Sequence, residues 1–247
     1  MSALPVPRVE VHESGEELAT TVAGAFLQFV TVRQAAGDVP QIALTGGTIA
    51  DKIHREIARL GARSDVDWSR IDFFWGDERF VAPDSDDRNA KQARADLFDL
   101  LPVDPARIHE IPSTADADSV DSAATAYADT VRSVGAGAFD LLMLGVGPDG
   151  HIASLFPGFP QLDILDAITA GVTGSPKPPP ERVTLTFPAL ARSEEVWFVV
   201  SGEDKAEAVG RALAPRPPGV HEIPAVGVRG QLQTIWFLDR AAASQVP

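Results

Sequence analysis

The sequence predicts an α/β fold, with a mostly parallel sheet and helices on both faces in three α/β/α layers, and three observations carry that prediction. Short apolar or β-branched runs alternate with segments of helical periodicity along the chain. Some runs are apolar throughout, as strands buried on both faces are. Several break at once into glycine or polar turns that open the next helix. The 247 residues suit one large domain, and with no repeat or evident linker the span 1–247 reads as a single unit.

Taken in order, Arg8-Val9-Glu10-Val11-His12 alternates as a short strand. Ser14 with Glu17 forms a capping box, and Leu18, Val22, Ala25, Phe26, Phe29 and Val30 recur at helical spacing until the helix ends near Gly37. Ile42 to Thr45 reads as a strand, Gly46-Gly47-Thr48 as a turn, and Ile49, Ile53 and Ile57 as the next helix. Ile71 to Trp75 is a buried strand, followed by a polar loop and a helix marked by Ala90, Ala93, Leu97 and Leu101. A further stripe through Val120, Ala123, Ala124, Tyr127, Val131 and Val134 precedes the apolar strand Phe139 to Leu144. Pro176, Pro178, Pro179 and Pro180 stiffen an extended segment. Val183 to Phe187 then alternates as a half-buried strand of the same sheet. Trp197 to Val200 is a strand, about Glu203 to Leu213 a helix, Pro215 to Gly219 a surface loop and Ile235 to Leu238 the last strand. The alternation is Rossmann-like, and ligands of such sheets collect beyond the carboxyl ends of the strands. That directs attention to loops 45–48, 76–89 and 145–157.

Lys and Arg number 21 against 35 Asp and Glu, a formal charge of −14 that repels nucleic acid and anionic membranes, so an anionic ligand needs a locally basic pocket. Without cysteine there is no disulfide framework, thiol nucleophile or zinc-thiolate site. The start, Met1-Ser2-Ala3-Leu4-Pro5-Val6-Pro7, lacks a basic segment followed by an apolar one, and no apolar run reaches about 18 residues. A cytoplasmic protein is expected.

The densest motif is Gly145-Val146-Gly147-Pro148-Asp149-Gly150-His151, continuing to Pro157. It satisfies the dinucleotide-binding pattern G-x-G-x-x-G after a strand, but Pro157 cuts short the helix that a pyrophosphate needs. The glycines instead permit a sharp turn close to a ligand. His151 can accept a proton near neutral pH, and Asp149 can set its tautomer; a hydrogen-bonded structural histidine is the alternative. His12, His54, His109 and His221 have no comparable setting.

Thr45-Gly46-Gly47-Thr48, between strand and helix, either presents N–H groups to a phosphate or is a tight turn alone; it lacks the Lys of a P-loop. In Trp75-Gly76-Asp77-Glu78-Arg79 and the stretch Asp84 to Asn89, Arg79 suits either a phosphate or a salt-bridge network. Asp84, Asp86 and Arg88 follow calcium-loop spacing, but Arg88 and the missing glycine at Asn89 exclude that ion. Lys177 is either a point charge for the same anion or a solvated lysine. No Gly-x-Ser-x-Gly elbow or His-Glu-x-x-His zinc helix is present.

Together these stretches, with Ser175-Pro176-Lys177-Pro178-Pro179 leading to Arg182-Val183-Thr184-Leu185-Thr186-Phe187, resemble the 6-phosphogluconolactonase family, within the wider group that includes glucosamine-6-phosphate deaminases. The ending Ala153-Ser154-Leu155-Phe156-Pro157 looks like the lactonase form, where the deaminases continue into Asn-Glu-Pro. The resemblance implies hydrolysis of 6-phospho-D-glucono-1,5-lactone to 6-phosphogluconate in the oxidative pentose phosphate pathway, without a cofactor or metal. By position it implies His151 as general base beside Asp149, and a substrate-binding set of Gly46, Gly47, Thr48, Asp77, Arg79, Arg88, Gly147 and Lys177, with Arg79 and Lys177 as clamps. Two departures stand out: Thr48-Ile49-Ala50 replaces Ser-Thr-Pro, and Arg88 stands where many relatives have serine, which leaves open which hydroxyl meets the ligand and whether Arg88 adds charge to the pocket. The expected partner is a phosphorylated sugar lactone, bound by a monomer. An aminosugar-phosphate deaminase or isomerase is the nearest alternative, and a non-catalytic sugar-phosphate sensor a more distant one, since no DNA-binding module is visible.

Overall fold

The structure is a computed structural model that describes residues 4–135 and 137–247; Met1-Ser2-Ala3, part of the segment read for a leader, lies outside the described residues. The chain runs β1 (Arg8–His12), α1 (Gly15–Ala35), β2 (Gln41–Leu44), α2 (Thr48–Gly61), β3 (Asp72–Trp75), β4 (Asp77–Arg79), α3 (Asn89–Asp96), α4 (Val120–Gly135), β5 (Leu141–Leu144), β6 (Thr169–Val172), β7 (Arg182–Leu185), α5 (Phe187–Leu190), β8 (Glu195–Val200), α6 (Ala206–Ala212) and β9 (Gln233–Asp239), with short 3-10 turns between. Ser14 caps α1 as its sequence predicts, accepting the Glu17 amide at 3.3 Å, while the Glu17 carboxylate reaches back to the amide of Glu13 at 2.7 Å.

Six strands form one sheet in the order β1-β9-β8-β5-β2-β3, every pair parallel. The α/β fold with a mostly parallel sheet is therefore as the alternation predicts. From β2 the chain moves outward to β3, then returns across β2 to β5 and onward to β8 and β9. Parallel crossovers are right-handed, so this reversal puts α1 and α2 on one face and α4 and α6 on the other. It also makes the carboxyl ends of β2 and β5 the switch point at which the two adjacent connecting loops part.

The edge strand β3 is covered. The buried Tyr127 hydroxyl of α4 accepts from the Trp75 amide and donates to the Trp75 carbonyl, each at 2.9 Å, and the His109 amide donates to the Phe73 carbonyl at 2.8 Å. Backbone groups that would template another strand are satisfied within the chain. Around this lies an aromatic core in which Phe26, Phe73, Phe74, Trp75, Phe139, Phe198 and Phe237 are fully buried.

Three expectations change. The strand read over Val183 to Phe187 does not join the main sheet: β7 is the centre of a second, antiparallel sheet ordered β4-β7-β6. It also stops at Leu185, because Pro188 suits a helix start and Phe187 opens α5. The helix drawn from Ala90 to Leu101 ends at Asp96; Leu97 leaves helical geometry with φ −138° and ψ −62°, and a 3-10 turn follows.

Candidate active site

Strand β2 ends into Thr45-Gly46-Gly47 and strand β5 into Gly145 to His151, and because the strands are neighbours the two loops meet, with the Gly145 amide donating to Thr45 Oγ1 at 3.3 Å. Between them and the loops from β3, β7 and β8 opens a cavity of about 550 Å³. Of the residues singled out from sequence, Gly46, Gly47, Thr48, Asp77, Arg79, Gly147, His151 and Lys177 line it.

His151 follows a turn closed by Gly150 N–H to the Gly147 carbonyl and by Gly147 N–H to the His151 carbonyl, both 2.9 Å. Its Nδ1 lies 2.5 Å from Asp149 Oδ1, and its ring rests on Phe156 with centroids 4.6 Å apart. Glycine is required at 147 because a Cβ there would lie 2.0 Å from the imidazole. Burial pushes the Asp149 carboxyl up, but the His151 hydrogen bond and charge, the His151 amide and the Lys177 charge outweigh it and bring the pKa down to about 2. Asp149 is therefore an anion at neutral pH, Nδ1 carries the proton, and Nε2 is left as the basic nitrogen of a ring that lines the cavity. The turn after His151 has no long helix; Ala153 adopts φ 47°, a left-handed conformation rare for alanine, and Ser154 donates its hydroxyl to Asp77 Oδ2 at 2.6 Å. That bond ties the histidine loop to β4.

Cations gather from several elements. Arg79 donates Nη1 to the Asp87 carbonyl at 2.6 Å and to Asn89 Oδ1 at 2.7 Å. Arg182 donates to the carbonyls of Lys177, Pro178 and Pro179 at 3.1 to 3.2 Å, bracing the proline-rich loop, and its guanidinium sits 4.0 Å from Asp77 and over the Phe156 ring. Lys177 makes no ion pair among the described residues; burial lowers its pKa, helped by the nearby Lys205 and Arg182 charges and opposed by Asp149 and Asp204. Lys205 pairs with Asp204 at 2.6 Å and Lys52 with Glu16 at 2.5 Å. Five cations thus face two lining carboxylates, Asp77 and Asp204, within a chain of net charge −14. The N-terminus of α2 opens onto the same space, and its cap residue Gly47, at φ 101°, brings no capping side chain. Its first amides are free to meet an anion.

Arg88 does not belong here. It is buried on the far side of α3, donating Nη2 to the Ile111 carbonyl at 2.8 Å with Glu110 at 3.6 Å, so it adds no charge to the pocket. Its alternation with Asp86 and Asp84 said nothing about direction. Conversely Lys52, Asn89, Arg182, Ser201 and Lys205 line the cavity without having been singled out. Ser201 and Lys205 were within reach of the strand-end rule applied to β8, and Asn89 closed and Arg182 opened stretches already quoted. Among the described residues no three His, Asp or Glu side chains gather as for a metal ion, and no helix is long and apolar enough to cross a membrane.

A family model described as glucosamine-6-phosphate isomerases/6-phosphogluconolactonase matches residues 13–236. The chain is similar to a 6-phosphogluconolactonase of Streptomyces coelicolor, 40% identical over 250 residues that cover 98% of this chain and 95% of that one. A 6-phosphogluconolactonase of Mycobacterium leprae is 40% identical over 244 residues, covering 96% and 94%. Among solved structures, the 6-phosphogluconolactonase of Thermotoga maritima superposes with a TM-score of 0.83 at 28% identity, covering 95% of this chain and all of that one.

Proposed function

This chain belongs to the family of glucosamine-6-phosphate isomerases and 6-phosphogluconolactonases, and from that premise we propose that it is an enzyme hydrolysing 6-phospho-D-glucono-1,5-lactone to 6-phospho-D-gluconate, in the oxidative pentose phosphate pathway. The observation that carries the reading to this site is His151, paired with Asp149 at 2.5 Å and lining a cavity with excess positive charge.

The reaction adds water across one ester bond. His151 Nε2 takes a proton from water as the oxygen attacks C1, and the tetrahedral centre collapses with cleavage of the bond to the ring oxygen. The imidazolium then returns its proton to the ring oxygen, leaving a C5 hydroxyl and a C1 carboxylic acid that releases its own proton to solvent as the carboxylate. Asp149 holds the tautomer and balances the imidazolium. The Gly147 and Gly150 amides are spent inside the turn, so they are not donors for the developing oxyanion. The phosphate sits over the uncapped N-terminus of α2, flanked by Arg79 on the side of Asn89 and by Lys177 and Lys205 opposite, which holds the ring for attack. Asp77, anchored by Ser154, is an acceptor for sugar hydroxyls. Water is the only co-reactant, and the working form is a cytoplasmic monomer of one domain.

A pH-stat assay with freshly made lactone, corrected for spontaneous hydrolysis, tests this. The wild type turns over, and His151→Ala loses about 10²–10⁴-fold in kcat with its fold intact. Release of ammonia from glucosamine-6-phosphate in place of acid from the lactone would overturn the assignment, and undiminished turnover in the variant would remove His151 from the chemistry.

A further inference from the structure

In β4 the side chains alternate, so Asp77 and Arg79 line the cavity while Glu78 between them points away. Glu78 is 1% exposed and lies outside the reaction just described. Its carboxylate accepts three backbone amides: Arg79 at 2.8 Å and Asn89 at 2.9 Å on Oε1, and Ala90 at 2.8 Å on Oε2. The last two open α3, whose N-cap residue Arg88 supplies no capping side chain. Glu78 therefore caps that helix from another strand. The Arg88 guanidinium stands behind it as the buried charge that opposes the cost of desolvating the carboxylate.

What Glu78 holds is Asn89. The Asn89 side chain donates to the Asp77 carbonyl at 3.0 Å and accepts Arg79 Nη1 at 2.7 Å. It also lies so close to the phosphate turn that a Cβ on Gly46 would be 1.9 Å from its Oδ1. One carboxylate thus sets the main chain of Arg79 directly, and through Asn89 sets its guanidinium and the seat of the Gly46 turn. We propose that Glu78, with Arg88 as its buried counter-ion, is a positioning residue that holds Arg79 and the Gly46 turn in the arrangement that receives the substrate's phosphate. This rests on Arg79 as a phosphate ligand.

The test compares steady-state kinetics of the full-length wild type, Glu78→Gln, Arg79→Ala and the double variant on the phosphorylated lactone and on unphosphorylated glucono-1,5-lactone. Arg79→Ala raises KM for the phosphorylated lactone alone. Glu78→Gln raises the same KM about tenfold, leaves kcat within about twofold, leaves the unphosphorylated lactone unaffected, and adds less than that on the Arg79→Ala background, where only its effect through the Gly46 turn remains. Should Glu78→Gln fold poorly because the buried Arg88 charge is then less balanced, Glu78→Gln/Arg88→Met removes both buried charges together and shows the same KM rise. Raised KM in Arg79→Ala beside wild-type KM in the Glu78 variants, or a full further tenfold KM rise in the double variant, overturns the positioning role alone. Unchanged KM in Arg79→Ala overturns the phosphate assignment and this inference with it.

Discussion

Replacing Gly147 by alanine is the sharpest perturbation of the histidine that keeps its polar partner Asp149. The new Cβ would stand 2.0 Å from Cε1 and Nδ1 of His151 and 2.7 Å from Asp149 Oδ1, where ordinary contact begins at 3.4 Å. The ring must therefore retreat by about 1.4 Å, and the tilted ring of Phe156, with its centroid 4.6 Å away, restricts that retreat. Gly147 is not among the glycines with positive φ, so alanine is admissible to the backbone and the loss falls on the side chains. A misplacement of about 1 Å costs on the order of 10²-fold in rate, about 2.7 kcal/mol of transition-state stabilisation. We expect kcat for the phosphorylated lactone to fall by about that factor while the denaturation midpoint stays near that of the wild type. Gly24→Ala is the matched control: the site is exposed in α1 with nothing within 4 Å of the new carbon, so it keeps full turnover and gains up to about 1 kcal/mol of stability. Full turnover in Gly147→Ala would mean that the position of the imidazole does not govern the reaction.

Asp149→Asn exchanges a charged hydrogen bond to His151 for a neutral one; at about 1.5–3 kcal/mol for such bonds, kcat should drop by about 10- to 150-fold, and a drop below twofold would leave the carboxylate without a role in turnover. Tyr127→Phe strips both backbone groups of Trp75 of their buried partner and should lower unfolding free energy in urea by about 2 kcal/mol with the active-site loops unaffected; a loss under about 0.5 kcal/mol would contradict that account of the covered edge. His54 is buried, and burial lowers its pKa from 6.5 to about 4, with the Arg55 charge acting in the same direction. The unfolded chain then binds a proton that the folded chain refuses, so stability is untouched above pH 6.5, falls as pH drops towards 4 and levels below it, by up to about 3 kcal/mol. His54→Leu should flatten that acid limb in pH-dependent urea melts, and a limb of unchanged slope would show that another group drives it.

The strands β2, β3, β5 and β8 and the loops at their ends were legible because their evidence is local: a run of apolar residues, then glycine. The second sheet was not. Strand β4 is Asp77-Glu78-Arg79, with no apolar pattern at all, and β6 is four residues; each is a strand only because β7 comes alongside with its hydrogen-bonding edge. The same limit explains Arg88 and Arg182. Both are arginines at the edges of quoted motifs, yet one turns to the Ile111 carbonyl and the other braces the cavity wall.

By itself the sequence determined the α/β alternation, the histidine with its carboxylate neighbour two positions away, and the glycine turns that bring backbone near a ligand. These depend on chemistry and spacing within about a dozen residues of chain. Only the tertiary structure decided which cations face the cavity, that Glu78 turns its back on it, and that Asn89 lies against Gly46. Those facts belong to the meeting of segments tens of residues apart, where the order of strands in the sheet, and not the order of residues in the chain, sets which side chains come within reach of one another.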